Sequence, residues 1–585
     1  MAIPTLTMIP SGYKAQKVYS VLPTNGDGDF SFYRNNTGTR VNKDGLIEQV
    51  DTDVPRLDYP INLNLVSYSE DFSEIWWNWT NITSYKNKST SPSEKLTATK
   101  LQRTSTTYNY LSKGVSKAAQ QLDMTISIFV KQGEGDFFAI RGQGDYPNRM
   151  DAIYQFSTNE LNTSVGGNNF TVINSNVEEH INGWVRLSIS FNTDNHGSFG
   201  TFFSPRSTSG YIDQDNSSSS SFVYIWGAQV EEQSYVTPYM PTPRGGCPSL
   251  LLEPYSLNLT GYSEDFSQGW SRYNSEVITN QITSPRGDLT ADILQSNDDY
   301  QPMVQRHFDP PTTDTTYTFS VFVKKIGAPY LALGVYNGSS DKNAIFDLDS
   351  KSFVSSVENA SIKEFSNGWF RISITQTILS TDTFNTWKIL NSNGSSALTG
   401  VVGGETSIWG AQLEALPFAT SYIPTPTNSS ESRGVETFSN DFSSQPTVAN
   451  TNTVVLKFIP MGFSNDWYEL LRFSGGTNQI ALEGYQTNKY NVYGNGLTAG
   501  GMVEGGLSLD VGSINTISFS YNGTSLRFSH NGSTIAVNTI TGDLPTITKV
   551  SHSVGGLSPI KILDLRVYND FKTQEELNIL TTITP

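Results

Sequence analysis

The chain is poor in the residues that usually carry chemistry: its 585 residues include one cysteine, five histidines and only 16% charged side chains. A single cysteine, Cys247, excludes an intramolecular disulfide framework and a cysteine-based metal cluster. The usual charged fraction is about 25%, and its shortfall argues against helices, whose surfaces are built from Glu, Lys and Arg. Ser, Thr, Asn, Gly and aromatic residues replace them, as is typical of strands and turns. The composition therefore predicts an all-β protein.

Long apolar runs are also missing. No segment approaches the ~20 apolar residues that span a bilayer, and residues 1–10 lack the basic segment and apolar core of a signal peptide. The formal charge of −17 disfavours nucleic acid and anionic membranes, both of which require a basic surface. We therefore expect synthesis in a cytoplasm without export by the usual route, no nucleic-acid partner and no membrane insertion.

One phrase occurs twice, about 190 residues apart, with its landmarks in the same order. The first copy has Tyr68–Ser73, Phe129–Lys131, Asn182–Trp184, Trp226–Gln229 and Pro241–Pro243, and the second has Tyr262–Ser267, Phe322–Lys324, Asn367–Trp369, Trp409–Gln412 and Pro424–Pro426. Five landmarks in register indicate one module used twice. Reuse of a module is more typical of a binder than of a catalyst.

The chain length predicts three or four domains. Residues 1–60 form a Gly-, Asn- and Pro-rich segment with a hairpin turn at Asp44-Gly45, too small to bury a large core, and predict an adaptor that docks elsewhere. Alternating apolar and polar residues in 61–243 (module 1) and 244–427 (module 2) predict antiparallel jelly-roll sandwiches. Residues 428–585 predict a further β-sandwich, ending in a helix over Gln574–Leu580 capped by Thr573.

The repeated phrase resembles a domain common in structural proteins of tailed bacteriophages, which opens with Tyr-Ser-Glu-Asp-Phe and closes with Trp-Gly-Ala-Gln-Leu-Glu. The closings here are Trp226–Glu231 and Trp409–Glu414, and the lead-ins Thr39–Glu48 and Cys247–Pro254 are similar to the N-terminal region and junction of such proteins. More distantly, the jelly-roll strands resemble carbohydrate-binding modules. Residues 428–585 resemble a concanavalin/laminin-G sandwich, through the Tyr521-Asn-Gly-Thr524 hairpin and the Asp564–Tyr568 strand.

The resemblance implies a virion component, a head or tail fibre or decoration protein released by host lysis, whose modules bind bacterial-surface or environmental glycans. It also implies a homo-oligomer, with a trimer favoured, and a capsid or tail partner for residues 1–60. The alternatives are a tailspike-type depolymerase that uses the C-terminal domain as a glucanase, and a passive spacer. A glucanase of that fold usually shows Glu-x-Asp-x-x-Glu on one strand, and this spacing is absent from residues 428–585, so we expect no enzyme.

Two carboxylate pairs, Glu70-Asp71 and Glu264-Asp265, are the most tempting catalytic residues. A glycosidase needs two acids facing each other across a cleft at roughly 5–10 Å, whereas neighbours on a strand point to opposite faces. We therefore expect a turn, or a cation tie such as a structural Ca²⁺, rather than catalysis. No catalytic residue, metal ligand or cofactor is predicted.

Ligand recognition is expected in loops, where the two copies differ, since a rigid scaffold commonly displays its site there. Aromatic rings stack on sugar C–H faces and polar side chains take the hydroxyls. The candidate residues are Trp77, Trp79, Tyr110, Arg141 and Tyr146 in module 1, and Trp270, Tyr300, Tyr336 and Asn337 in module 2. The alternative for each is loop packing or a subunit contact.

Overall fold

The structure is a computed structural model. It describes residues 3–582 except 43–44, 60–63, 67, 74–76, 94, 118–120, 215, 237–238, 240–247, 328–329, 356–358, 446–449, 464–466, 477, 486–488, 495–501, 540–543 and 553–557. Asp44 of the predicted turn, the Pro241–Pro243 connector and Cys247 lie outside the described residues.

The predicted all-β fold is confirmed. The chain divides into two compact units: Asn62–Cys247, which is module 1, and a composite unit of Met1–Ile61 with Pro248–Ile583. The composite unit holds module 2 together with the N-terminal segment and the C-terminal sandwich. In the described part of the chain, no helix has the length and apolar character needed to span a membrane.

Module 1 is a sandwich of two six-stranded antiparallel sheets. The first sheet runs in the order Thr171–Glu179, Trp184–Asn192, Asp123–Glu134, Phe222–Glu231, Ala98–Arg103 and Ile82–Ser89. The second runs Glu160–Gly166, Arg149–Gln155, Phe137–Gln143, Ser198–Arg206, Tyr110–Ser116 and Asn78–Thr80. A one-turn 3₁₀ helix, Ile181–Gly183, leads into one strand. Ile126 and Ile128 of the first sheet pack with Phe138 and Ile140 of the second in one core.

Module 2 repeats this arrangement. Its first sheet runs Ser275–Ile282, Ala291–Ser296, Glu405–Glu414, Thr315–Lys325, Trp369–Ile378 and Ser361–Glu364, with the 3₁₀ turn Ser366–Gly368. Its second sheet runs Ser271–Tyr273, Met303–Phe308, Asn385–Asn391, Tyr330–Tyr336, Asp341–Asp347 and Ser352–Ser355. In both modules we call the side of the second sheet that points away from the core the outer face.

The C-terminal sandwich is built from strands that lie far apart in sequence. One sheet runs Ser533–Thr539, Ser525–His530, Asn515–Asn522, Asn452–Pro460, Ile560–Tyr568, Ser249–Leu252 and Arg56–Asp58, and Leu6–Met8 also pairs with Ile560–Tyr568. The other runs Tyr13–Lys14, Lys17–Val18, Phe30–Tyr33, Thr437–Asp441, Lys549–His552, Trp467–Gly475, Asn478–Tyr485, Lys489–Gly494 and Met502–Ser508. Two short ladders complete the unit, Gly38–Val41 with Ile47–Val50 and Ser256–Asn258 with Glu431–Arg433.

Most of the described strands of the N-terminal segment belong to this sandwich, and the whole segment lies in the composite unit, so the predicted division at residue 60 does not separate two compact bodies. Leu6 pairs with Val567 of the last strand. Phe30 and Phe32 alternate with exposed neighbours and enter the common core, where Phe30 stacks on Phe438 at 4.1 Å. A segment too short for its own core thus contributes strands to another. Its docking role on a particle stays a prediction.

A charged cluster lies inside the composite unit where its three parts meet. It consists of Arg34 and Arg56 from the N-terminal segment, Glu253 near the start of module 2, and Arg433 and Glu436 after module 2, all essentially inaccessible. Arg34 Nη1 donates to Glu436 Oε1 at 2.8 Å, and Arg56 donates both to Glu436 and, at 2.7 Å, to Glu253 Oε2. Arg433 Nη1 lies 3.1 Å from the same Glu253 oxygen. We call these five residues the junction cluster.

The predicted C-terminal helix is confirmed as Gln574–Thr581. Thr573 accepts a hydrogen bond from the Glu576 amide, and the Glu576 side chain accepts one from the Thr573 amide, which completes a capping box.

Candidate functional site

An asparagine shortly before the Tyr-Ser-Glu-Asp-Phe landmark forms matching hydrogen bonds in both modules. Asn64 donates to the Ala228 carbonyl at 3.0 Å and accepts from the amides of Val66 and Val230, both at 3.1 Å. The side chain therefore ties the opening of the module to its closing strand.

Asn258 performs the same task in module 2. It donates to the carbonyls of Ala411 (3.1 Å) and Ile423 (2.8 Å) and accepts from the amides of Thr260 and Leu413, both at 3.1 Å. Its side chain is fully buried, so no water replaces these partners.

We expect Asn258→Ala to lower the free energy of unfolding of the composite unit by about 2–4 kcal/mol, because each buried polar group left unpaired costs about 1–3 kcal/mol. Urea denaturation of the full chain measures the loss. Gln281→Ala, at an exposed amide of the same module, is the control. A loss no larger than that of the control would contradict a scaffolding role for Asn258.

The Ser-Glu-Asp motif of module 1 binds a partly buried tyrosine and stabilises its own turn. Ser69 Oγ lies 2.7 Å from the Tyr239 hydroxyl, which donates to Glu70 Oε1 at 3.3 Å. Burial raises the pKa of Glu70. Asp71 instead accepts from the Ser73 amide (3.1 Å) and hydroxyl (2.6 Å). The two acids thus have separate structural partners.

Module 2 repeats the motif and adds an arginine. Ser263 Oγ lies 2.7 Å from the Tyr422 hydroxyl, which donates to Glu264 Oε1 at 3.0 Å, and Arg286 Nη2 donates to Glu264 Oε2 at 2.7 Å. Burial raises the pKa of Glu264 despite the nearby guanidinium. The phrase that reveals the repeat is therefore scaffold in both copies.

The Asn-Gly-Trp landmark has a conformational reason. Asn182 and Asn367 adopt φ of 59° and 61°, in the left-handed region that asparagine tolerates better than most residues. The next residue in each motif, glycine, also has positive φ. The indoles of Trp184 and Trp369 then donate to loop carbonyls at 3.0 and 3.1 Å. These tryptophans are buried.

Two predicted ligand residues, Trp77 and Trp270, are core residues instead. They are 1% and 5% exposed, and their indoles donate to the carbonyls of Tyr68 (3.3 Å) and Tyr262 (3.2 Å). Because a buried ring offers no face to a sugar, both predictions are corrected. Apolar packing against Phe72 and its module 2 counterpart explains the burial.

Arg141 and Asn337 are also engaged within the protein. Arg141 is buried and donates to Asp151 at 2.6 and 3.2 Å, while Asp213 lies 3.2 Å away. Asn337 donates to Asp382 at 3.1 Å and accepts from following backbone amides, which fixes a loop. Both residues therefore position their surroundings.

The other predicted residues are partly or largely exposed. In module 1, the Trp79 indole donates to the Phe72 carbonyl (3.2 Å) and Ser84 Oγ (3.0 Å), which holds the ring at the surface. Tyr146 is exposed, with the Arg149 guanidinium 5.7 Å from its ring centre.

An exposed tyrosine occupies the same loop position in both modules. Asn81 Nδ2 donates to the Tyr108 carbonyl at 2.9 Å, and Asn274 Nδ2 donates to the Tyr300 carbonyl at 2.6 Å. Tyr108 is 49% exposed and Tyr300 is 56% exposed. The scaffold therefore presents a ring at the same edge of each second sheet.

A second tyrosine accompanies each of these rings, but it comes from a different strand. In module 1, Tyr110 lies 6.4 Å from Tyr108 and contacts the edge of Phe202 at 5.1 Å. In module 2, Tyr273 lies 6.5 Å from Tyr300. Each module thus has a pair of tyrosines at the same edge of its second sheet, but the two pairs differ in arrangement.

The outer face of module 1 continues this aromatic edge. The half-buried Phe202 lies beside Arg141 in the register, and its ring leans over Gly200, where a Cβ would come within 2.7 Å of the ring. A Cβ on Gly114, the neighbour of Gly200, would meet nothing within 4 Å. Space is therefore left above this part of the sheet.

Charged groups border that space. Arg149 Nε donates to Asp151 Oδ2 at 2.9 Å, and Asp151 also pairs with Arg141. The exposed Asp213 completes the chain of charges. The face combines flat rings with fixed donors and acceptors.

The outer face of module 2 carries different groups. Lys388 Nζ donates to Asp341 Oδ1 at 2.6 Å and lies 5.3 Å from the ring centre of Tyr336, whose hydroxyl donates to the Gly338 carbonyl at 2.9 Å. Phe384 packs on Tyr336 at 5.7 Å.

His307 extends this second cluster. Its ring lies 4.8 Å from Phe384, and Nδ1 lies 3.1 Å from Thr386 Oγ1. Module 2 therefore has one aromatic platform at the edge tyrosines and a second around Tyr336.

The register shows how far the two faces have diverged. One row matches in part: Ala139 pairs with Ile153 under Ile212, and Ala332 pairs with Ile345 under Ala397, but the next position is Ser204 in module 1 and Leu390 in module 2. The next two rows differ at every position. In the first of them, module 1 has Ser112, Phe202, Arg141 and Asp151 where module 2 has Gln305, Lys388, Gly334 and Asn343. In the second, module 1 has Gly114, Gly200, Gln143 and Arg149 where module 2 has His307, Thr386, Tyr336 and Asp341. Sequence reasoning missed Phe202 and Lys388 because they lie within strands. Strand alternation, which puts every second residue on one face, was the available signal.

No family model matches the chain, and no curated protein matches it. Among solved structures, the chain is similar to the CBM40 of the Ruminococcus gnavus IT-sialidase (18% identity, 23% of this chain and 84% of that one, TM-score 0.18). It is also similar to the CBM22-1–CBM22-2 tandem of Paenibacillus barcinonensis Xyn10C (11% identity, 60% of this chain and 97% of that one, TM-score 0.19). A third similar structure is Trypanosoma rangeli sialidase in complex with sialic acid (10% identity, 94% of this chain and 98% of that one, TM-score 0.21). TM-scores near 0.2 do not establish what this chain binds.

The sequence predicts a turn or a cation tie at the acidic motifs. Within the part of the chain that the structure describes, no group of three or more His, Cys, Asp or Glu side chains is arranged to hold a metal ion. Asp71 and Asp265 bind the serines two residues on.

Proposed function

We propose that the chain is a glycan-binding protein in which each module uses the outer face of its second sheet and the adjoining tyrosine edge. The observation that carries this proposal is the contrast between matched scaffolds and unmatched faces. The two modules share hydrogen bonds at Asn64 and Asn258 yet differ across two whole rows of the outer face. Divergence of this surface on a common scaffold favours recognition of two different ligands there.

The chemistry of module 1 suits a sugar. Sugar rings present C–H faces that pack on aromatic rings, and hydroxyls that need donors and acceptors. Tyr108, Tyr110 and Phe202 supply adjoining rings, while Arg149 and Asp213 supply polar groups at the rim. Since Asp151 fixes Arg149, little side-chain entropy is lost when a ligand binds.

Module 2 offers two separate platforms, Tyr273 with Tyr300 and Tyr336 with Phe384. Lys388 and Asp341 lie beside the second platform as a preformed donor and acceptor. We expect this module to select a different glycan from module 1. Two weak sites on one chain, multiplied by oligomerisation, would give avidity without any tight single site.

The finer proposal is that the protein is a head or tail fibre of a tailed bacteriophage, assembled as a trimer, with residues 1–60 contacting the capsid or tail. It rests on the resemblance of the repeated phrase and its lead-ins. Immunogold labelling of intact particles tests it: label on the head or tail surface supports the fibre, and unlabelled particles from cells that make the protein would contradict it.

We further propose that the chain binds polysaccharide without cleaving it. The competing function is depolymerisation by the C-terminal sandwich. Incubation of the full chain with a bound polysaccharide, followed by assay of reducing ends, separates the two. Release of reducing sugar above the heat-inactivated control would favour the enzyme.

A further inference from the structure

A second kind of site lies in a cleft of about 800 Å³ inside the composite unit, which we call the junction cleft. Its walls come from the N-terminal hairpin, the first sheet of module 2 and two loops of the C-terminal sandwich. Small-molecule sites in proteins commonly have volumes of about 300–1,000 Å³, so the cleft is large enough for a sugar.

The other cations of the junction cleft have ion-pair or hydrogen-bond partners in the protein. Arg40 Nε donates to Glu48 at 2.6 Å, and Lys561 Nζ lies 2.5 Å from Asp58. Arg371 donates to the Thr420 carbonyl and, at 2.9 Å, to Ser320 Oγ, and Glu414 provides the largest attraction for its charge.

Lys363 differs from these three residues. Among the described residues, no carboxylate lies within ion-pair distance of its ammonium, which sits 5.6 Å from the ring centre of Phe365. Its side chain lies in the cleft wall and is accessible to solvent. The charged groups that act on Lys363 are Lys561, Arg371, Asp58 and Glu253. Among the described residues, the Lys363 ammonium is thus left without a hydrogen-bond or ion-pair partner.

The remaining walls provide apolar and polar surfaces. Phe418, Met461 and Phe463 are half-buried apolar residues of the wall, and Phe418 is fixed against Gly462, where a Cβ would come within 2.5 Å of its ring. Asn359 and Ser361 bring exposed polar groups to the same cleft. Such a lining suits the apolar face and the hydroxyls of a sugar.

We infer that the junction cleft binds a carboxylate-bearing saccharide, with the carboxylate on Lys363 and the sugar ring against Phe418. One uncompensated cation matches one carboxylate. A phosphate dianion would leave an excess negative charge beside Asp58 and Glu253. This site stands apart from the two outer faces and does not depend on their function.

Isothermal titration of the full chain with sodium glucuronate tests the inference, with glucose, acetate and inorganic phosphate as comparison ligands. We expect glucuronate to bind at least tenfold more tightly than each of the others. Lys363→Ala should weaken it at least tenfold, because a charge-assisted hydrogen bond is lost, and Lys363→Arg should retain it. Lys325→Ala, at an exposed ion pair of the same module, is the control.

The pH dependence gives a second readout. Enclosure in the cleft, with the nearby charge of Lys561, lowers the pKa of Lys363 to about 7. The cation that binds glucuronate is therefore lost as the pH rises, and the Kd should increase between pH 7 and 9 in the natural chain but not in Lys363→Arg. The inference is overturned by unchanged glucuronate affinity in a folded Lys363→Ala chain, by equal binding of acetate or phosphate, or by no binding at millimolar glucuronate.

Discussion

We expect Glu436→Gln to lower the free energy of unfolding of the composite unit by about 3–5 kcal/mol, the usual cost of breaking a buried ion pair on one side. Glu436 is inaccessible and receives hydrogen bonds from Arg34 and Arg56, as well as from the Glu253 amide at 2.9 Å. The glutamine leaves two buried guanidinium groups short of a negative charge. Hydrogen–deuterium exchange of the full chain should show the loss in strands of the composite unit.

The control is Asp349→Asn, which breaks an exposed pair with Lys325; exposed pairs contribute about 0–1 kcal/mol. Equal effects of the two substitutions would contradict the importance of the junction cluster. Module 1 amides serve as an internal reference in the same experiment.

The junction cluster should also make the stability of the composite unit depend on pH. Burial alone would raise the pKa of Glu253, but Arg433 and Arg56, with the Ser421 hydroxyl, hold it well below its ordinary range. A carboxyl with a depressed folded-state pKa stabilises the fold above its unfolded pKa and loses that contribution as the pH falls. The natural chain should therefore have a higher free energy of unfolding than Glu253→Gln at pH 5, and this difference should become smaller as the pH falls to 2.

The second large effect is expected on the outer face of module 1. The triple variant Tyr108→Ala, Tyr110→Ala and Phe202→Ala should weaken binding of the module 1 glycan at least thirtyfold, because buried aromatic anchors at an interface contribute about 2 kcal/mol or more. A glycan array with the full chain identifies the ligand, and isothermal titration measures the change. All three rings are partly or largely exposed, so the fold should survive.

The matched control is Tyr85→Ala, an equally exposed tyrosine (43%) on the first sheet of module 1. It should leave the affinity unchanged. If the triple variant has the melting temperature of the natural chain and still binds the module 1 glycan with unchanged affinity, the site lies elsewhere.

Much of the fold was accessible to sequence reasoning because its signals are local. Alternation predicted the strands, and the Thr573 cap predicted the last helix. The pairing of Leu6 with Val567 was not predictable in this way, since strand alternation does not specify a partner 561 residues away. The buried charges Arg56 and Glu253 carry no periodic signal either. Arg56 follows the lead-in Thr39–Glu48, and Glu253 lies within the lead-in Cys247–Pro254. The junction cluster gives both residues a physical role.

The site was predicted only in part, for a similar reason. An exposed edge tyrosine such as Tyr300 is recognisable in a loop sequence, but Trp77 and Trp270 in the same kind of segment turn inward to fill the core. Loop position alone does not fix the direction of a ring. Phe202 and Lys388 were missed because a strand residue is usually assigned to packing. The ring of Phe202 is only half-buried, and Lys388 is buried beside Asp341.

The most direct test of glycan binding by the outer faces is an array of neutral glycans probed with four full-length chains. These are the natural chain, the module 1 triple variant, a module 2 variant with Tyr273→Ala, Tyr300→Ala and Tyr336→Ala, and a chain with both sets. The account predicts that each single-module variant loses its own subset of glycans and that the combined variant, melting at the natural temperature, loses all of them. Retention of the natural glycan profile by the combined variant would contradict it.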